Sequence, residues 1–343
     1  MQESHPTIQL AHGGGGQLSQ RLIRDLLLPA LAPEAGALHD AALLPSPGSR
    51  LAFTTDSYVV RPLLFPGGDI GRLAVIGSVN DLAMAGARPV ALSLGLILEE
   101  GLAVDTLRTV VASIRSACEQ CGVAVITGDT KVVERGKADG LFINTSGIGV
   151  VEHGLTIGPQ AVQPGDAVLV SGDLGRHGLA VLTARPELGF RSSLESDLAP
   201  LHHCVQQLLS AAVELHCLRD LTRGGLASAI DEIARDAGCT VELEEEAIPL
   251  HPAVQGACDL LGLDPLAMAN EGRMLVICAE AEAPRALELL QAHHPEACRI
   301  GRVGPPPAPT DALAQRHPVH LRNGLGVLRP LDLGRGEQLP RIC

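Results

Sequence analysis

Apolar positions along the chain gather into short strand-like runs that alternate with longer stretches of helical spacing. Leu51 to Val60 reads as a strand bounded by turn residues around Ser46 to Ser49, with Thr55-Asp56-Ser57 in its interior. After Pro66-Gly67-Gly68, Asp69 is placed to cap a helix that runs to about Ala85 and stops at Gly86, with Pro89 just beyond. Pro89 to Leu98 is apolar enough for a buried strand, and Val104 to Cys121 has helical spacing. Val123 to Thr127 is expected as a short β-branched strand opening onto Gly128-Asp129-Thr130-Lys131, and Phe142 to Val151 closes the unit as a further strand.

A second unit begins at Gln163-Pro164-Gly165-Asp166, a turn signal followed by the apolar strand Ala167 to Ser171. Helix-like runs follow at Gly178 to Thr183, Leu198 to Val213, Leu226 to Ala237 and Pro284 to His293, with strand-like runs at Thr240 to Leu243, Met274 to Cys278 and Arg299 to Val303. The boundary falls within 152–165, so the expected organisation is an N-terminal domain over 1–155, a C-terminal domain over 156–330 and a tail over 331–343. Both halves mix strands and helices, so the fold class is α/β or α+β, without a short repeat and with Pro305 to Pro309 as a stiff loop.

Composition narrows the function. The 343 residues carry 26 basic and 39 acidic side chains, a net charge of −13, which disfavours nucleic-acid and anionic-membrane surfaces. One Tyr, four Phe and no Trp leave little for base stacking, so the cores must be aliphatic. No apolar run approaches a membrane span and the first residues lack a signal-like pattern, so a cytoplasmic protein is expected. Nine cysteines, an odd number scattered through apolar segments, read as buried thiols of a reducing compartment.

Several segments carry candidate chemistry. Four glycines, Gly13, Gly14, Gly15 and Gly16, follow His12 and read equally as an anion nest or as a linker. Asp56, Asp81 and Asp129 come from separate segments near expected element ends, where a magnesium nucleotide finds hard oxygens; singly, each is more simply a cap or turn residue. Lys131 could neutralise phosphate or handle a proton, or be a surface lysine. Glu271, in Asn270-Glu271-Gly272 on an apolar background, suits proton transfer or a salt bridge. Asp220 to Gly225 offers a turn into a helix with Arg223 available for an anion, or a structural turn. Cys118 and Cys121 point at one apolar face and read as packing, while His202-His203 and His293-His294 are expected to point apart. Cys343 sits at the end of a segment, Leu331 to Cys343, that spans up to about 43 Å when extended, a reach that suits a carrier arm swinging between an active site and another protein, although on its own the segment reads more simply as a disordered, inert tail.

Together these motifs resemble the HypE family of hydrogenase maturation proteins, carbamoyl dehydratases of the PurM-like (aminoimidazole ribonucleotide synthetase) superfamily. The resemblance rests on His12 to Gly16, Thr55 to Val60, Phe65 to Gly71, Val79 to Ala83 and Thr127 to Val133. It continues through Thr222 to Gly225, Leu261 to Leu266, Ala269 to Gly272 and the terminal Pro340-Arg341-Ile342-Cys343, and so covers nearly the whole chain. One departure is Arg176, where the family pattern usually has Asp.

The resemblance implies a PurM-like two-domain fold with an extended C-terminal tail, ATP with Mg²⁺, and a homodimer built through the N-terminal domains. It also implies a carbamoyl group placed on Cys343 by the carbamoyltransferase HypF, and a product passed to the HypC–HypD scaffold that assembles Fe(CN)₂CO for [NiFe]-hydrogenase. In that scheme Cys343 carries the substrate, Asp56, Asp81 and Asp129 hold Mg²⁺-nucleotide, Gly13 to Gly16 cradle phosphate, and Glu271 and Lys131 move protons. Two other readings compete: another PurM-like ATP-dependent enzyme, such as a small-molecule kinase or amidine-forming ligase, which would tolerate loss of 340–343, and a non-catalytic carrier that only presents Cys343.

Overall fold

The computed structural model describes residues 7–13, 18, 21–31, 48, 50–189, 192–333 and 342. They divide into two compact units, the first reaching to Leu82 and resuming over Ala87–Val151, the second formed by Ala83–Gly86 with Glu152–Ile342.

In the first unit β1 (Leu51–Tyr58) leads through a small hairpin, β2 (Leu64–Phe65) and β3 (Gly68–Asp69), into helix α1 (Ile70–Met84). Then come β4 (Arg88–Glu99), α2 (Val104–Cys121), β5 (Ala124–Val133) and β6 (Leu141–Val150), and the sheet order is β1-β6-β4-β5. The pair β4–β5 is parallel and joined by α2, whereas β6 runs antiparallel to both its neighbours. Burial alternates along β1, as a half-covered strand requires: Thr54, Asp56 and Tyr58 turn inward while Phe53, Thr55 and Ser57 are exposed. Helix α1 is apolar around its circumference and accordingly buried, from Ile70 and Leu73 to Val79 and Leu82. Asp69 caps it as expected, its Oδ1 accepting the Gly71 and Arg72 N–H groups at 2.7 and 3.1 Å. Gly71 lets α2 approach, since a Cβ there would lie 2.6 Å from the Val110 carbonyl oxygen.

The second unit follows the order β7 (Ala167–Val170), α3 (Arg176–Thr183), α4 (His202–Ser210), β8 (Leu215–Asp220), α5 (Gly225–Ala237), β9 (Val241–Glu244) and α6 (Pro252–Leu261). It ends with β10 (Met274–Cys278), α7 (Ala283–His293), β11 (Cys298–Val303), α8 (Ala312–Arg316), β12 (Val319–Arg322) and β13 (Leu328–Pro330). Its seven strands form one sheet, β13-β12-β9-β11-β7-β10-β8, antiparallel except between β12 and β9. Alternate residues of β7 and β10 enter two separate cores: Val168, Val170, Leu275 and Ile277 meet α5, whereas Leu169, Met274 and Val276 share the other with α4 and α7. Both faces are therefore covered, and the central strands are apolar at every position.

Three expectations change. Gly128-Asp129-Thr130-Lys131 does not form a turn but lies inside β5, because Gly128 answers a close approach: a Cβ there would lie 2.5 Å from the Leu94 carbonyl oxygen of β4. The helix expected over Leu198 to Val213 is shortened to His202–Ser210, since Leu198 and Ala199 donate their N–H groups to Ser196 Oγ and the Glu271 carbonyl instead. His202 and His203 do not point apart; at the first turn of α4 no preceding turn blocks their rings, whose centroids lie 3.9 Å apart. Strand β8 and helix α6 escape the sequence pattern, β8 because His216 and Arg219 interrupt its apolar run. His216 is nevertheless buried, with Nδ1 hydrogen-bonded to Asp166 at 2.7 Å. No helix among the described residues is long and apolar enough to cross a membrane.

Candidate active site

In the first unit, Asp56 on β1 and Asp81 on α1 both lie in the layer between sheet and helix. Asp56 accepts the Tyr58 O–H at 3.2 Å, and Tyr58 meets Ser78 of α1 at 3.4 Å, which in turn contacts Thr145 at 2.5 Å. Asp81 accepts the Thr54 O–H at 2.6 Å, so β1 and α1 hold both carboxylates in fixed orientations. Asp129 is placed differently. Ser57, Asn144, Gly95 and Asp129 stand in one row across the sheet, and Asp56, Thr145, Leu94 and Gly128 in the next. Neighbouring rows point to opposite faces, so Asp129 and Lys131 stand on the open face, away from Asp56, and β1 is three strand spacings or about 14 Å from β5. Both are exposed, with Lys131 Nζ 3.9 Å from Asp129 Oδ2.

Among the described residues, no three His, Cys, Asp or Glu side chains gather closely enough to hold a metal ion. The donor chemistry nonetheless fits a magnesium nucleotide, in which Mg²⁺ takes one or two carboxylates and fills its remaining positions with phosphate oxygens and water. Gly13 closes a short helical turn, Leu10–Gly13, in which His12 donates its N–H to the Gln9 carbonyl at 2.9 Å; Gly14, Gly15 and Gly16 lie outside the described residues. The loop after β5 is fixed by Glu99, which sequence reasoning missed. Its carboxylate accepts the N–H groups of Gly136 and Gly140 at 2.5 and 2.8 Å, and those bonds lower its pKa.

In the second unit, Asn270-Glu271-Gly272 forms the floor of a buried polar site. Asn270 Oδ1 accepts the Gly175 N–H at 2.7 Å while its amide donates to the Leu221 and Met268 carbonyls, tying three loops together. The Asp197 carboxylate accepts N–H groups from His177 at 3.1 Å, Glu271 at 3.2 Å and Gly272 at 3.0 Å. Gly272 is required, because a Cβ there would collide with the Asp197 carbonyl oxygen. Glu271 is 3% exposed and presents Oε1 4.0 Å from His177 Nε2. That same Nε2 lies 2.6 Å from the carbonyl oxygen of Ile342, the residue before Cys343. Cys343 itself lies outside the described residues.

Around this floor, Arg176 pairs with Asp173, which also receives Arg273 Nη2 at 2.7 Å. Burial alone would raise the Asp173 pKa, but the hydrogen bonds and charges of the two arginines outweigh it and leave it lowered. Arg176 thus has a structural partner of its own. In the Thr222-Arg223-Gly224-Gly225 turn, Arg223 is exposed, and Gly225 is needed because a Cβ would lie 2.5 Å from the Leu266 and Met268 carbonyl oxygens. His177, Ser196 and Asp197 were not singled out from the sequence; the polar run Glu195-Ser196-Asp197 before an apolar stretch is a local signal for the last two, and His177 has none. Cys118 and Cys121 are buried, and burial pushes their thiols up to about 11 and about 12, as inert packing requires.

Residues 38–151 match the family described as AIR synthase related protein, N-terminal domain, and residues 163–310 match its C-terminal domain. The chain is 49% identical over 342 residues to Carbamoyl dehydratase HypE of Rhodobacter capsulatus, covering 98% of each chain. A crystal structure of hydrogenase maturation protein HypE in complex with ATP superposes with a TM-score of 0.91 at 46% identity, covering 98% of this chain and 100% of that one. A HypE–HypF complex contains a chain that matches with a TM-score of 0.77 at 40% identity, covering 92% of this chain and 99% of that one. With this likeness running through both domains, the chain belongs to the HypE family of carbamoyl dehydratases, hydrogenase maturation enzymes on the AIR-synthase-related, PurM-like fold.

Proposed function

We propose that the chain removes water from a carbamoyl group carried on the Cys343 thiol, with ATP as phosphoryl donor, and so converts a thiocarbamate into a thiocyanate for the cyanide ligands of [NiFe]-hydrogenase. The observation that carries this reading is the Ile342 carbonyl held beside the buried Glu271: the covalent neighbour of the cargo-bearing residue is anchored next to a carboxylate able to take protons. ATP as co-substrate and HypF as carbamoyl donor are supported by the relatives solved with each. The thiocyanate is then a substrate for the HypC–HypD scaffold. The reaction belongs in the cytoplasm, in keeping with eight free cysteines among the described residues.

Dehydrating R–S–C(=O)–NH₂ means breaking the C–O bond, and oxide is a poor leaving group. Transfer of the terminal phosphoryl group to the carbonyl oxygen, with ADP leaving, turns it into a phosphate ester as the nitrogen gives up its first proton. Loss of the second proton forms the C≡N bond and expels phosphate, which carries the former carbonyl oxygen away. Glu271 and Lys131 are assigned the two protons. Asp56 and Asp81 would hold Mg²⁺ with the nucleotide, where the metal neutralises phosphate charge, and Gly13 to Gly16 would cradle the phosphates; Asp129, on the opposite face of the sheet, falls outside that set.

Asp129 and Lys131 stand on the open sheet face, to which we assign the contact with a second copy of the chain. That face carries Phe53 at 70% and Leu51 at 55% exposure, apolar area suited to a homodimer contact. The function is tested by phosphate release in the presence of HypF and a carbamoyl donor. Cys343→Ala should abolish the carbamoyl-dependent part, and release that continues at the native rate would exclude the terminal thiol as carrier.

A further inference from the structure

The carbonyl of Ile342 is held by a side chain to which the scheme above gives no role. His177 is fully buried at the start of α3. A carbonyl oxygen only accepts, so Nε2, 2.6 Å from the Ile342 oxygen, carries the proton. In the neutral ring Nδ1 is then an acceptor, and the Ser196 O–H donates to it at 2.8 Å. Ser196 Oγ in turn accepts the Leu198 N–H at 3.1 Å, which leaves its own proton for the ring. Burial lowers the His177 pKa and keeps the ring neutral, against the opposing pull of Asp197 and the Ile342 bond. The tautomer that grips the tail is therefore fixed from the far side of the ring.

Asp197 adds a second constraint. By accepting the N–H groups of His177, Glu271 and Gly272, it locks the residue that grips the tail to the turn that carries the acid–base group. Resting on the reading given under Proposed function, we propose that His177 is a positioning residue that sets the register of the C-terminal tail, clamping the Ile342 carbonyl so that the thiocarbamate one residue further on is presented to Glu271. The clamp grips main chain, so it measures distance from the C-terminus whatever the side chain at 342.

The test uses the full chain carbamoylated by HypF, with dehydration followed by intact mass in single turnover. His177→Leu removes the donor, and His177→Gln keeps an N–H near the position of Nε2. The Leu variant should accept carbamoyl at the native rate yet dehydrate about ten- to a hundredfold more slowly, the usual penalty for a reacting group displaced by about an ångström. The Gln variant should recover most of the loss, which a purely structural role would not allow. Native dehydration in His177→Leu would overturn the clamp, as would carbamoylation and dehydration falling together with Gln no better than Leu. Failure of the native chain to accept carbamoyl on Cys343, or native dehydration in Glu271→Gln, would instead strike the proposed function.

Discussion

Glu271 draws its chemistry from its surroundings. Its backbone is held by Asp197, its carboxylate lies 4.0 Å from His177, and the neighbouring Asn270 stitches the loops at Gly175, Leu221 and Met268 into one floor. A carboxylate so constrained loses little freedom when it receives a proton, the condition for efficient general-base work. Glu271→Gln keeps the shape and hydrogen-bonding capacity but takes up no proton. It should still accept a carbamoyl group on Cys343 and dehydrate it about a hundred- to ten-thousandfold more slowly; an unchanged rate would remove Glu271 from the reaction. The sequence marked Glu271 as a carboxylate among apolar residues, but it could not mark His177. That residue's importance lies in contacts with Ser196 and Ile342, 19 and 165 positions away, and no local pattern encodes such distances.

At the level of elements, the strands and helices flanked by strong punctuation were legible. Asp69 capping α1, Gly122 ending α2 in a left-handed conformation and the unbroken apolar run of β10 all carry local signals. Where a glycine serves a tertiary approach, as Gly128 does against Leu94, it looks like a turn and misplaces Asp129 and Lys131. Helix α4 shows another kind of non-local effect. Its His202 is buried, neither ring nitrogen has a hydrogen-bond partner among the described residues, and burial, helped by the charge of His203, lowers its pKa to about 4. The unfolded chain takes up a proton near pH 6.5 that the folded chain refuses until about 4, so stability falls as pH drops through that window and is unaffected above it. Each such histidine contributes a slope of about 1.4 kcal/mol per pH unit. His177, also buried with a lowered pKa, and His294, lowered to about 4, act in the same sense. Urea midpoints should therefore fall between pH 6.5 and pH 4.5, and His202→Leu should lessen the fall and raise the midpoint at pH 5. An identical pH profile in the Leu variant would refute this account of α4.

For the whole molecule, the division of labour follows the two units. The first carries carboxylates and a lysine on opposite faces of one sheet, and the second carries a buried polar floor whose His177 holds the carbonyl of Ile342. Asp56→Asn and Asp81→Asn, which alter the two carboxylates that share a face, should each abolish ATP turnover. Full turnover in either variant would remove that carboxylate from the nucleotide site. Sequence reasoning singled out candidate residues in both units; it could not assign their faces, which depend on strand register and not on composition.

The most direct measurement is the intact mass of the native chain after incubation with HypF, a carbamoyl donor and ATP, with the adduct located on the C-terminal peptide. The account predicts a carbamoyl mass on Cys343 that gives way, only when ATP is present, to a species lighter by one water. A carbamoyl adduct on any other residue, or one on Cys343 that persists unchanged through ATP hydrolysis, would contradict it.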